Sequence, residues 1–287
     1  MPRLPGNEQL VSRSGEQLRS LREINRLETE EKERLYGSFL PHRLFQLLGV
    51  NPHTLRGPPG GGSLEFIAPA GLGFTRVVAR RSPLDQDPLL FLEISDTPYH
   101  QIELSFCIIT NPDAPRFRVD LDGAGKDNWF SSLGRNIPEE LRSMGAGLFP
   151  NQVRRGLRLF KEFFPLFQRF VDGLGVDMIT AEPLTYDNAI RYEKYGFDYL
   201  TGRALMRSIN EEFRPGGKLF ARLDGSTPFR RPGMERTVRG RSWAIHDGIL
   251  DEPWDGVQIY KTIGESAGVN TFPEREEEEI LPWQSAA

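Results

Sequence analysis

Asp177-Met178-Ile179-Thr180-Ala181 leads, after a short link, into Asp187-Asn188-Ala189-Ile190-Arg191-Tyr192-Glu193-Lys194-Tyr195-Gly196-Phe197. The first run is short and apolar, which predicts a buried strand. Thr185 to Tyr195 has helical spacing, with Asp187 and Asn188 suited to its start and Gly196 to its end. Tyr199 to Leu205 then reads as another strand, and Ser208 to Phe213 as helical. This order of strand, short helix, Gly-Phe and strand decides the fold class as α/β.

Upstream, Leu64 to Ile67, Gly73 to Arg80, Leu89 to Ile94 and Gln101 to Thr110 read as four strands separated by turns. The last becomes continuously apolar, as a central strand does. Residues 111–137 form a long irregular stretch, and Pro138 to Leu148 suits a short helix. A long helix is expected from Pro150, with Phe160, Phe164, Phe167, Phe170 and Val171 on its apolar stripe. Pro165 should kink it, and Gly173 and Gly175 end it. Before the strands, residues 15–35 and Arg43 to Leu48 read as helices, the second stopped by Gly49. The expected division is an N-terminal helical arm over 1–62, a core over 63–213 and a loop-rich C-terminal extension over 214–287.

Composition sets the outer bounds. The chain has 287 residues and a net charge of −4, which gives no global push toward nucleic acid. Its one cysteine, Cys107, excludes an intrachain disulfide and reads as a small core hydrophobe. No N-terminal run resembles a signal peptide and no window is apolar enough for a membrane span, so a cytoplasmic protein without membrane contact is expected. Glu276 to Glu279 read as a solvated acidic tail. His42, His53, His100 and His246 form no metal spacing with one another or with Cys107, so no metal is expected.

The order of four strands, a long helix, a strand, a helix and a strand, with Asn188, Tyr192 and Gly196-Phe197 in its last part, resembles the GNAT (Gcn5-related N-acetyltransferase) superfamily. The likeness runs from Ser63 to Met206, about half of the chain. It implies a mixed, mostly antiparallel sheet flanked by helices, with the fourth and fifth strands splayed apart. It also implies that an acyl-CoA lies in that cleft, with its pyrophosphate on backbone amides at the start of the long helix. A helix N-terminus suits an anion, because its N–H groups are unpaired and its dipole end is positive.

The family pattern there, Gln/Arg-x-x-Gly-x-Gly/Ala, fits two registers. One is Arg142-Ser143-Met144-Gly145-Ala146-Gly147, ahead of the long helix. The other is Arg155-Gly156-Leu157-Arg158-Leu159-Phe160, at the right distance from Leu174-Gly175. In the second, Arg158 and Phe160 replace the glycine and the small residue that let a phosphate approach the backbone. Arg154, Arg155 and Arg158 would pair with the phosphates, or form the solvated basic face of a helix. The resemblance makes Glu103 the general base on the amine and Tyr192 the acid that protonates the leaving thiolate, with Asn188 beside the cofactor. Read without it, Glu103 is an outward-facing strand residue, Tyr192 packs between helix and sheet, and Asp187 and Asn188 cap a helix.

The expected function is therefore N-acyl transfer from an acyl-CoA-type donor to a small-molecule or protein amine. One rival is a GNAT-like domain without catalysis that binds a small anionic ligand or a protein. The other is a nucleic-acid accessory protein using Arg230, Arg231, Arg236, Arg239 and Arg241, which an internal salt-bridge network would instead consume. His246 is a histidine beside a carboxylate, Asp247, on what reads as a strand.

Overall fold

The computed structural model describes residues 9–273. The acidic run Glu276 to Glu279 lies outside the described residues. In chain order the helices are α1 (Leu21–Ile24), α2 (Thr29–Gly37), α3 (His42–Leu48), α4 (Ile137–Gly145), α5 (Phe160–Gly173), α6 (Tyr186–Lys194), α7 (Arg203–Glu212), α8 (Lys218–Ala221) and α9 (Val238–His246). The strands are β1 (Ser63–Ile67), β2 (Phe74–Arg80), β3 (Leu90–Asp96), β4 (Ile102–Ile109), β5 (Met178–Ala181), β6 (Asp198–Thr201) and β7 (Gln258–Thr262). The described residues are thus mixed α/β, and their strands pair mostly antiparallel.

Two compact units share the chain. The first takes the residues up to Pro115, Arg154–Glu182 and Tyr260–Glu265. The second takes Arg116–Val153, Pro183–Ile259 and the residues from Ser266 on.

In the first unit the strands run β1-β2-β3-β4-β5, and the end of β7 lies beside β5. β1 to β4 are antiparallel neighbours, whereas β4 and β5 are parallel. Alternation buries Val77, Ala79, Leu90, Leu92, Ile94, Ile102 and Leu104 on one sheet face. On that face Tyr36 of α2 stacks on Phe66 of β1 at 6.4 Å. Phe39 then meets Phe163, Phe167 and Phe170 of α5 at 6.1, 5.7 and 4.9 Å, edge to face. Such ring pairs each add about 0.5–1.5 kcal/mol beyond the area they bury.

Helical spacing over residues 15–35 predicts one helix, and the structure has two short ones. The break falls at Asn25, whose amide donates to the carbonyls of Leu72 and Phe74 at 2.7 and 2.8 Å. Its oxygen accepts from the Tyr36 hydroxyl at 2.5 Å. A fully buried side chain that closes sheet backbone outweighs the helix propensity of its neighbours. The long helix also starts later than Pro150 implies, at Phe160, because Asn151 and Arg158 take left-handed backbone conformations at φ 59° and 58°.

In the second unit α6 packs on α9, and β6 lies next to the start of β7. Phe117, Val119 and Leu148 form a small core with Val153 against it. The apolar run after Phe197 is not one strand. β6 stops at Thr201, Gly202 turns the chain at φ 90°, and α7 begins at Arg203. His246 lies not on a strand but at the end of α9, a helix capped where the Thr237 hydroxyl accepts from the Gly240 N–H at 3.0 Å.

Candidate functional site

The first unit brings together the end of β4, β5 and the start of α5. β4 pairs with β5 only at Ile102–Ile179 and Glu103–Thr180. β4 then runs on from Leu104 to Ile109 with no strand beside it on that side among the described residues. A strand edge of this kind presents backbone N–H and C=O groups for a ligand or another chain.

The turn before α5 lies against the far end of this edge. The Asn111 N–H donates to the Arg155 carbonyl at 2.8 Å. A Cβ on Gly156 would come within 3.1 Å of the Ile109 carbonyl oxygen, so glycine permits this close approach. Arg154 fastens the turn. Its Nε lies 2.8 Å from Asp87 Oδ2, and its Nη1 donates to the carbonyls of Pro112 and Ala114. That guanidinium is committed to protein groups.

α5 opens without a side-chain cap. Leu159, at its N-cap, is right-handed, and Arg158 before it is left-handed. A left-handed residue next to a right-handed one points successive N–H groups to one side, the form of an anion-binding nest. Arg158 therefore holds a left-handed backbone conformation that glycine adopts at less cost. Phe160 stacks on Phe164 at 5.4 Å, so its ring lies along the helix flank. Arg158 and Lys161 are exposed and have no hydrogen-bond or ion-pair partner among the described residues. Cations at a helix N-terminus oppose its dipole by about 0.3–1 kcal/mol each, which a bound anion would offset. Lys161 carries no signal in the sequence, because helical spacing places the start of the long helix ten residues earlier, at 150.

Glu103 sits at the last β4–β5 pair, half-buried, and its carboxylate has no hydrogen bond or ion pair among the described residues. Cys107, half-buried, lies opposite Leu92 on the core face of the sheet, and desolvation pushes its thiol up to about 12. A thiol so shifted stays protonated near neutrality and is a poor nucleophile.

Glu103, Arg154, Arg155, Gly156 and Arg158 thus belong to one unit, and Asn188 and Tyr192 to the other. The alternative register, Arg142 to Gly147, falls on the end of α4 in the second unit. On α6, Thr185 holds the N-cap position, with Asp187 and Asn188 in the first turn. Tyr192 packs its ring on Phe197 at 4.8 Å. Burial raises the pKa of Asp187, against the pull of Arg191 and the Thr185 hydroxyl.

The arginines of residues 230–241 are largely occupied inside the second unit. Arg230 bonds Asp247 at 2.9 Å, Arg239 donates to the Gly147 carbonyl at 2.9 Å, and Arg231 to that of Pro228 at 2.9 Å. Arg241 is buried between Phe213 and Phe272, at 5.2 and 4.5 Å, and donates to Asn210 Oδ1. His246 finds its carboxylate in Glu140, at 3.3 Å, and not in adjacent Asp247. Arg135 joins Glu140 to Asp247 at 2.5 and 2.7 Å.

Among the described residues no group of three or more His, Cys, Asp or Glu is placed to hold a metal ion. No helix among them is long and apolar enough to cross a membrane. Comparisons of the chain with protein-family models, curated proteins and solved structures return no match.

Proposed function

We propose that the first unit binds an acyl-CoA-type thioester and that the protein transfers its acyl group to an amine. The observation that carries this reading is the uncapped start of α5. There a left-handed Arg158 and exposed cations stand beside the β4 edge that β5 leaves open. An anionic pyrophosphate suits the first feature, and an extended amide-bearing arm suits the second. The same two features occupy corresponding places in the GNAT pattern that the sequence resembles.

In the proposed reaction the amine nitrogen attacks the thioester carbonyl carbon and Glu103 takes the amine proton. The C–S bond breaks, the thiolate accepts a proton from solvent, and the products are an amide and free CoA.

A second reading is a domain that binds an anion at the same turn without catalysis, favoured by the arginine at position 158 in place of glycine. Melting temperature measured with free CoA and a panel of acyl-CoAs separates the readings. A ligand specific for the native state adds about 2.7 kcal/mol of stability at a hundredfold excess over its Kd. A shift with thioesters, together with amide formation from added amine, supports transfer. A shift without turnover selects the second reading, and no shift with any of them sinks both.

A further inference from the structure

The two faces of the first unit's sheet differ. One carries the core residues under α2 and α5. The other carries Phe91, Glu93 and Ser95 of β3 and Glu103 and Ser105 of β4, all half-buried. The pairing jumps from Glu93–Phe106 to Ile94–Leu104, so Ser105 is the extra residue of a β-bulge. Its hydroxyl lies 3.0 Å from that of Ser95, the cross-strand partner of Glu103.

The bulge changes which way the next side chain faces. Strict alternation would put Phe106 on the core face with Leu104. With one residue inserted, Phe106 stays opposite Glu93, on the face of Glu103. There it meets Phe91 edge to face, with centroids 5.9 Å apart. At roughly 3.3 Å per residue, this ring pair stands on the order of 7–10 Å from Glu103 along the strand.

Charge on this face is uneven. Glu93 is neutralised by Arg76, whose Nη2 lies 2.5 Å from its carboxylate. The Arg76 guanidinium also lies 5.3 Å from the centre of Phe91. Glu103 has no such partner. One uncompensated carboxylate therefore lies at one end, and an apolar ring pair beside a neutralised ion pair at the other.

We propose that the acyl acceptor is a primary amine carried on a single apolar, ring-sized body, with its ammonium at Glu103 and its body on Phe91 and Phe106. The Arg76–Glu93 pair leaves no uncompensated carboxylate at the far end, so a second ammonium finds no partner there and diamines are disfavoured. This assignment rests on the acyl-transfer reading above.

Calorimetric titration of the full chain with 2-phenylethylamine, ethylamine and 1,4-diaminobutane tests it, with free CoA titrated separately. The expected result is at least tenfold tighter binding of 2-phenylethylamine than of the other two. Glu103→Gln should abolish that binding. Phe106→Leu, which keeps apolar bulk, should shrink the preference several-fold with the far-ultraviolet dichroism unchanged. Equal affinities for the three amines, or a preference unmoved in Phe106→Leu, would overturn the assignment. If CoA binds while the amines are not distinguished, this inference alone fails. If the amine preference holds while neither CoA nor any acyl-CoA binds, the transfer reading fails and the amine site stands.

Discussion

Arg154→Met should loosen the turn on which the donor site is built. The Arg154–Asp87 pair is 18% and 12% exposed on its two sides, with Nε and Oδ2 2.8 Å apart. The same guanidinium also closes the carbonyls of Pro112 and Ala114. Removing one member of a buried pair costs about 3–5 kcal/mol, because the other charge is left uncompensated. Residual exposure and further contacts of Asp87 lower this to about 2–4 kcal/mol. For a unit of this size each kcal/mol moves the melting temperature by about 2–4 °C, so a fall of roughly 4–16 °C is expected. Adding Asp87→Asn to Arg154→Met removes the stranded charge and should restore at least about 1 kcal/mol, a coupling that a double-mutant cycle isolates. A single variant within about 1 kcal/mol of wild type, or a double variant at the plain sum of the singles, would refute the clamp.

Other consequences concern the second unit and the chemistry. Burial works to raise the Glu140 carboxyl, but bonds from His246 and Arg135 hold it below the usual carboxylate range. A depressed folded pKa means stability that is present above the unfolded value and is lost as pH falls through the folded one. Acid titration of unfolding should therefore show a loss beginning below about pH 5, and Glu140→Gln should flatten that limb. Glu193 is buried and accepts from the Tyr199 hydroxyl at 2.7 Å and from the Thr271 N–H and hydroxyl at 3.1 and 2.5 Å. Glu193→Gln should cost about 1–3 kcal/mol in denaturant unfolding; a change under about 0.5 would contradict its role. Glu103→Gln should lower turnover about 10²–10⁴-fold with donor affinity unchanged, and full turnover would remove it from the reaction.

The strands β1 to β5 and helix α6 were legible in the sequence because alternation and apolar runs are local signals. The break between α1 and α2 was not, since it depends on Asn25 meeting backbone some 47 residues away in sequence. The start of α5 was misplaced because helical spacing does not report that Asn151 and Arg158 are left-handed. His246 was read beside Asp247, but α9 turns it toward Glu140, 106 positions earlier. Of the candidate site, the residue types at Glu103 and in the 155–160 turn could be read. The commitment of Arg154 to Asp87 and the bulge at Ser105 could not, because both are set by partners that local spacing does not report.

Amide hydrogen exchange of the full chain with and without saturating free CoA tests the central claim most directly, because it locates the ligand. Protection is predicted to rise in two places, over residues 104–109 of β4 and over residues 156–163 across the start of α5. Bound CoA that leaves both segments unprotected, or protects only segments of the second unit, would contradict the account.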